Sequence, residues 1–392
     1  MNFNRIILGV KYRLEILLRV IVSLFPRDKK LIVYGGSWDL FIDNAKHIFI
    51  LNNEQMHDYA HIWLTNNVEV LNYMTEHNFN AFRSNSFRGI WTLLRAGFII
   101  YDDGISYFSY HNLSMGATRI NIWHGVPAKM IGSLKKDEDY VCYKQRYWWE
   151  EYSLAHVKGD YCICPSSWQK RFFSCSFDIP ENNVLIGGYP RNRFMFMDEV
   201  ETIRYIYQYE SEDFINLYER IKGSSEKKYI YMPTFRDNDI TYLSKSIPDW
   251  EQLNDYCKKY DITFYLKVHR VTSLPDLTGF SHIKVLDNKM DVYPLLPLFD
   301  RLITDYSSVM FDFALKNKKV VLYTYDLEEY RNHSRPLYNH FLNLIMRVSV
   351  VSDFPSLLVS LSKTNNEIID FPADMYFDNP SDWNIIPQLI RK

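Results

Sequence analysis

The chain lacks an excess of charge of either sign, since 45 Lys and Arg face 47 Asp and Glu for a net charge of −2. A nucleic-acid binder would show a basic surplus, so that class is excluded in bulk, although a local basic patch for an anionic substrate stays compatible with neutrality. Cysteine is scarce and odd in number. Cys142, Cys162, Cys164, Cys175 and Cys257 fit no disulfide framework, and a reducing compartment is the expectation. Cys162 and Cys164 read as alternate residues of a buried strand rather than half a metal site. There is also no long run of uncharged apolar residues. The most apolar stretch, 5–25, carries five charges, at Arg5, Lys11, Arg13, Glu15 and Arg19. A spanning helix needs about 20 residues with few or no charges. No small-residue cleavage site follows; the chain continues Pro26-Arg27-Asp28. Repeats and low-complexity segments are missing too.

What is present is enough for two globular domains. At 392 residues and 47% hydrophobic content, two units of about 150–200 residues are the default. On a helical wheel, Arg5, Lys11, Glu15, Arg19 and Ser23 share one side of residues 1–26. That amphipathic helix either lies in a membrane interface or packs on the first lobe. Beyond it, Leu31–Tyr34, His61–Leu64, Gly97–Tyr101, Arg119–Trp123 and Tyr161–Cys164 read as strands, with helices over Asp43–Asn53 and Asp139–Val157. A charged helical stretch, Glu199–Lys222, and the polar Gly223-Ser224-Ser225 separate this set from a second. The second set comprises Tyr229–Met232, Thr263–Lys267, Arg301–Thr304 and Val320–Tyr323. Short apolar strands alternating with helices predict parallel sheets. The expected architecture is α/β and GT-B-like, two Rossmann-like lobes facing each other across a cleft. The expected boundaries are 27–198, a linker 199–225, 226–375, and a C-terminal helix 376–392 packing back on the first lobe.

Ligands of open α/β sheets sit beyond the carboxyl ends of strands, and five stretches there carry chemistry. Trp123-His124-Gly125-Val126-Pro127-Ala128-Lys129 holds a histidine in a turn, where its near-neutral pKa suits removal of a proton from a hydroxyl. Gly187-Gly188-Tyr189-Pro190-Arg191-Asn192 combines close backbone approach with the Arg191 fork. Met232-Pro233-Thr234-Phe235-Arg236-Asp237 supplies Thr234 and Arg236 as phosphate donors, with Asp237 placed to orient the arginine. Lys267 and His269 alternate at a strand end, two cationic groups suited to a pyrophosphate. In Thr304-Asp305-Tyr306-Ser307-Ser308, continuing to Asp312, a helix start with two hydroxyls favours an anion. Each has a plainer reading as a turn, a surface ion pair or an N-cap.

Taken in order from Trp123 to Asp312, the five stretches resemble the CDP-glycerol glycerophosphotransferase family, the teichoic-acid primases and polymerases. The resemblance implies that His124 activates an acceptor hydroxyl, with His269 as the second catalytic histidine. It places Arg191, Thr234, Arg236, Lys267, Asp305, Ser307, Ser308 and Asp312 around the donor phosphates. The implied donor is CDP-glycerol or another CDP-polyol. The acceptor would be a saccharide or polyol-phosphate, lipid-linked or polymeric, and CMP would leave. No cofactor, metal or nucleic acid is implied, and the expected place is the cytoplasmic membrane surface. Two departures bear on the polyol. Arg270 stands where the family has a proline after its K-x-H, and Arg331–Arg335 departs from the family's R-G. CDP-ribitol transfer and a nucleotide-sugar glycosyltransferase on the same fold are the alternatives, with a non-enzymatic envelope scaffold behind them.

Overall fold

The computed structural model describes residues 3–132, 134, 158–236, 239–333 and 336–391. The helix expected over 139–157 lies outside them, as do Cys142 and Asp237. Thirteen strands form two sheets among the described residues. The first contains β1 (Asp28–Gly35), β2 (Ala60–Thr65), β3 (Ala81–Arg83), β4 (Ala96–Tyr101), β5 (Thr118–Asn121), β6 (Tyr161–Cys164) and β7 (Val184–Ile186), in spatial order β3-β2-β1-β4-β5-β6-β7. The second contains β8 (Lys227–Met232), β9 (Ile262–Leu266), β10 (Ile283–Val285), β11 (Arg301–Thr304), β12 (Lys319–Tyr323) and β13 (Ser349–Val351), in order β10-β9-β8-β11-β12-β13. Every pairing is parallel.

Parallel sheets are covered on both faces, which is why the central strands read as unbroken apolar runs. Ile32, Val33, Ile99, Ile100, Ile230, Leu302 and Ile303 are wholly buried, each contributing about 1.5–3 kcal/mol of burial. The strands that patterning misses, β3, β7, β10 and β13, are the four sheet edges, each three residues long. Three residues are too few to set a period of two. The strand expected over Arg119–Trp123 stops at Asn121, because Asn121 Oδ1 accepts from Trp123 N at 2.9 Å and Trp123 turns to φ 53°. The stretch read as one helix over Glu199–Lys222 is two, Glu199–Tyr209 and Glu212–Gly223. Glu210 is extended, and the Ser211 hydroxyl caps the second helix on Phe214 N.

Strand order reverses between β1 and β4 and again between β8 and β11. At such switch points flanking loops diverge and leave room at the carboxyl ends. The two halves of the chain also touch. Lys129 and Leu337 form an antiparallel bridge flanked by Met130 N to Pro336 O (2.9 Å) and Tyr338 N to Ala128 O (3.0 Å). His47 Nε2 meets Asp291 at 2.8 Å, and Lys46 meets Glu210 at 2.6 Å, all four side chains buried. The tail returns to the first sheet, with Gly188 N bonded to Asp382 O at 2.9 Å.

The N-terminal helix spans Phe3–Ser23. Arg19 Nε bonds Asn112 Oδ1 at 2.7 Å, and Val22 is buried. Leu14, Leu17, Val20, Ile21 and Leu24 are left exposed. No helix among the described residues is long and apolar enough to cross a membrane. Cys175 is disulfide-bonded, whereas Cys162, Cys164 and Cys257 are free thiols. Spacing along the chain pointed to no bridge, because pairing depends on approach in space.

Candidate functional site

The first switch point is organised by Asp102, the residue after β4. It is fully buried and accepts from Ser37 N (2.9 Å), Ser37 Oγ (2.8 Å) and Ala45 N (3.2 Å). These bonds tie the loop after β1 to the first turn of the helix Asp43–Gln55. Burial, reinforced by the nearby charge of Asp43, pushes the Asp102 carboxyl up to about 8. The Asp102 carbonyl lies 3.1 Å from His124 Nδ1. A carbonyl only accepts, so Nδ1 carries a proton, and Nε2 is the ring nitrogen left to accept one. The imidazole stacks on Trp123 at 3.9 Å between centroids.

Beside His124 the backbone is pressed against both halves of the molecule. Gly125 has φ +121°, and a Cβ there would lie 2.4 Å from Arg191 Nη2 and 3.0 Å from Ser308 Oγ. Arg191 is itself buried. Its Nη1 reaches both Asp43 oxygens (2.9 and 2.8 Å), and its Nη2 reaches Asp312 Oδ2 at 2.6 Å. Asp312 also receives Asn192 Nδ2 at 2.9 Å and Tyr293 Oη at 2.8 Å. The guanidinium that the sequence offered to a phosphate is thus held through Nη1 and Nη2 by two carboxylates, while its Nε is buried with no hydrogen-bond partner among the described residues. It holds the His124 turn against the Ser307-Ser308 turn.

The second switch point is organised in the same way by Asp305, the residue after β11. Asp305 is fully buried; its Oδ1 accepts from Thr234 N at 2.8 Å, and its Oδ2 meets Arg236 Nη2 at 2.9 Å. Arg236 further bonds Asp326 through Nε (2.7 Å) and Nη2 (2.9 Å), and Thr234 O through Nη1 (2.6 Å). It sits among the rings of Tyr306 and Tyr330, at 5.1 and 4.8 Å. Arg236 therefore shapes the loop instead of presenting a free fork, and the carboxylates that orient it are Asp305 and Asp326. The Thr234 hydroxyl is buried with no hydrogen-bond partner among the described residues.

Lys267 follows β9 directly, and its Nζ bonds Asn288 O at 2.9 Å. Burial lowers this ammonium to about 8, against the pull of Asp291 and Asp287. His269 faces Phe235 at 4.9 Å and, from the first half of the chain, Trp38 at 6.0 Å. The Arg270 guanidinium lies 4.3 Å over the Trp38 ring. Ser307 and Ser308 are half-buried ahead of the short helix Val309–Ala314.

The sequence-derived residues thus fall into three joined groups. His124, Arg191, Ser308 and Asp312 meet at the contact between the halves; Thr234, Arg236 and Asp305 line the second switch point; Lys267 and His269 lie at the next strand end. Sequence reasoning placed neither Tyr293, nor Asp326, nor Asp102 at the site. The place of Asp102 directly after a strand was the usable signal. Nothing in the sequence marks Trp38.

This arrangement is one of two parallel-sheet α/β domains with charged and hydroxylic groups gathered at their strand ends. The wall teichoic acid polymerase TagF shares it. One TagF structure matches 99% of this chain and 95% of its own at a TM-score of 0.73 and 21% identity. A His-to-Asn TagF variant soaked with CDPG matches at 0.71 and 20% identity, over 100% of this chain and 98% of that one. The pattern of the CDP-Glycerol:Poly(glycerophosphate) glycerophosphotransferases covers residues 17–370, and the chain belongs to that family. Among curated relatives, the teichoic acid poly(glycerol phosphate) polymerase of Bacillus spizizenii is 27% identical over 85% of this chain and 84% of its own. The ribitol-phosphate polymerase TarK of Staphylococcus aureus is 27% identical over 79% and 59%.

Proposed function

We propose that the protein transfers glycerol phosphate from CDP-glycerol to a hydroxyl of a saccharide or polyol-phosphate acceptor, releasing CMP, in teichoic-acid-like or capsular polymer synthesis. In this reading residues 27–198 form the acceptor lobe and 226–375 the donor lobe of a GT-B-like pair across a cleft. The observation that carries it is the His124 turn. His124 Nδ1 is bonded to the Asp102 carbonyl, which leaves Nε2 as the ring atom able to accept a proton, and the next residue, Gly125, packs against Arg191 and against Ser308 of the other half.

The acceptor oxygen attacks the phosphorus on the glycerol side. The new O–P bond forms as the bond to the CMP phosphate oxygen breaks, and the acceptor proton passes to His124 Nε2. Thr234, Ser307, Ser308, Lys267 and His269 offset the charge that develops on the phosphate oxygens. Arg191, Arg236, Asp305 and Asp312 hold those groups in place. Family membership and the CDPG-soaked relative support the donor. The ribitol-phosphate polymerase among the relatives keeps CDP-ribitol as the second reading. The exposed apolar face of the N-terminal helix supports a peripheral position on the inner membrane surface.

The test is nucleotide release by purified protein given CDP-glycerol, CDP-ribitol or UDP-glucose, with and without envelope lipids. CMP release from CDP-glycerol, reduced about 10²–10⁴-fold by His124→Ala and also impaired by His269→Ala, is the expected result. Faster turnover of CDP-ribitol would move the assignment to ribitol phosphate. Release of UDP, or no turnover of any CDP-polyol with lipids present, would overturn it.

A further inference from the structure

A cavity of about 340 Å³ opens at the carboxyl edge of the first sheet, lined by Asn66, Ser106, Tyr107, Ser109, Tyr110 and Asn112. Asn66 follows β2, and the other five lie on the segment that leaves β4 through Asp102. This is the same segment whose Asp102 carbonyl fixes His124. The volume falls at the low end of ligand sites, about 300–1,000 Å³. Its lining consists of hydroxyls, phenols and amides, with a phenyl ring from Phe108 and no charged side chain. The Ser109 Oγ is buried with no hydrogen-bond partner among the described residues.

Trp38 connects this cavity to the second half of the site. Its ring lies 5.2 Å from Tyr107 and 6.0 Å from His269, yet 47% of the residue is exposed. Its backbone stands at φ 58°, ψ 19°, and Asp39 follows at φ 59°. A bulky residue in the left-handed region is strained and persists only where its surroundings over-determine it. Here Ser37 is held by Asp102, and Asp39 by Thr65 Oγ1 (2.5 Å) and Asn66 N (2.9 Å). Two neighbouring strand ends therefore clamp the indole, which carries the Arg270 guanidinium over its ring at 4.3 Å, beside a neutral, hydroxyl-rich hollow. Flat aromatic faces flanked by uncharged donors and acceptors suit a sugar ring. A chain of phosphodiesters would call for cations within the hollow itself, whose lining carries none among the described residues; the cation at this site, Arg270, lies on the indole.

We propose that this cavity and the Trp38 indole bind a neutral saccharide unit of the acceptor and present its hydroxyl toward His124. The inference rests on the phosphotransfer reading and adds the acceptor's chemical class and position.

Saturation-transfer NMR on the full chain tests it. Methyl β-glucoside and methyl N-acetyl-β-glucosaminide serve as probes, with oligo(glycerol phosphate) as the contrast. The expected result is saturation of the glycosides by the wild type. Ser109→Ala should weaken their binding about fivefold, the loss of one hydrogen bond, and Tyr107→Ala and Trp38→Ala should weaken it more. Ser225→Ala, in the cavity beneath β8, serves as the control. Equal glycoside binding by all variants, binding of oligo(glycerol phosphate) alone, or no glycoside binding would each overturn the inference. CMP release from CDP-glycerol, measured on the same wild-type preparation, separates the two readings. Release without glycoside binding removes only the saccharide site, while glycoside binding without release removes the phosphotransfer reading on which it rests.

Discussion

Replacing Gly125 with alanine tests the contact between the halves with a single methyl group. The new Cβ would sit 2.4 Å from Arg191 Nη2 and 3.0 Å from Ser308 Oγ, at a backbone φ of +121°. An L side chain at that φ costs about 1–3 kcal/mol. The guanidinium cannot swing aside, because Asp43 holds one end and buried Asp312 the other. Breaking a buried pair of this kind costs about 3–5 kcal/mol. Partial relaxation of the turn keeps the total below the sum, so a loss of about 3 kcal/mol is expected. That corresponds to a Tm roughly 6–12 °C lower for domains of this size. Gly223→Ala is the control, since a Cβ there meets nothing within 4 Å. Thermal unfolding of both variants, with CMP release measured well below either midpoint, gives two readouts. Gly125→Ala should lose both stability and turnover. A Tm matching that of Gly223→Ala, with turnover intact, would refute the claim that Gly125, Arg191 and Ser308 are in mutual contact.

Asp102 sets a pH dependence. Its folded pKa of about 8 exceeds the unfolded value of about 3.9, so the folded state binds more protons, and stability falls as pH rises from about 4 through about 8. Wild type should therefore lose stability relative to Asp102→Asn between about pH 5 and pH 8, by up to about 1.4 kcal/mol per unit; parallel melting curves would remove the assignment. Lys267 has the opposite sign. Its folded pKa of about 8 lies below the unfolded value of about 10.4, so its penalty is fullest below pH 8 and is relieved as pH rises toward 10. A phosphate placed against it would restore the proton. CDP-glycerol binding near pH 8 should then take up protons, seen as a buffer-dependent calorimetric heat that Lys267→Met abolishes. Arg191→Lys should destabilise the protein by about 2–5 kcal/mol, because one ammonium cannot span Asp43 and Asp312; an unchanged denaturation midpoint would contradict the bridging role.

The sequence by itself determined the parts that depend on local pattern. Apolar runs bounded by polar turns marked the central strands β1, β2, β4, β5, β6, β8, β9, β11 and β12. The residue types at strand ends offered His124, Thr234, His269, Asp305 and Ser308 as candidates for the site. Edge strands escaped because their pairing is set by neighbours and not by three residues of their own. Only the tertiary structure decided how the charges are used. From sequence, Arg191 and Arg236 were equally fit for phosphates or for carboxylates. Folding brought Asp43, Asp312, Asp305 and Asp326 within bonding distance from positions 69 to 148 residues away, and a buried guanidinium takes the nearest fixed anion. The proton on His124 Nδ1 and the seat of Trp38 beside His269 were set in the same way. Each depends on atoms that become neighbours only when distant strand ends are packed together.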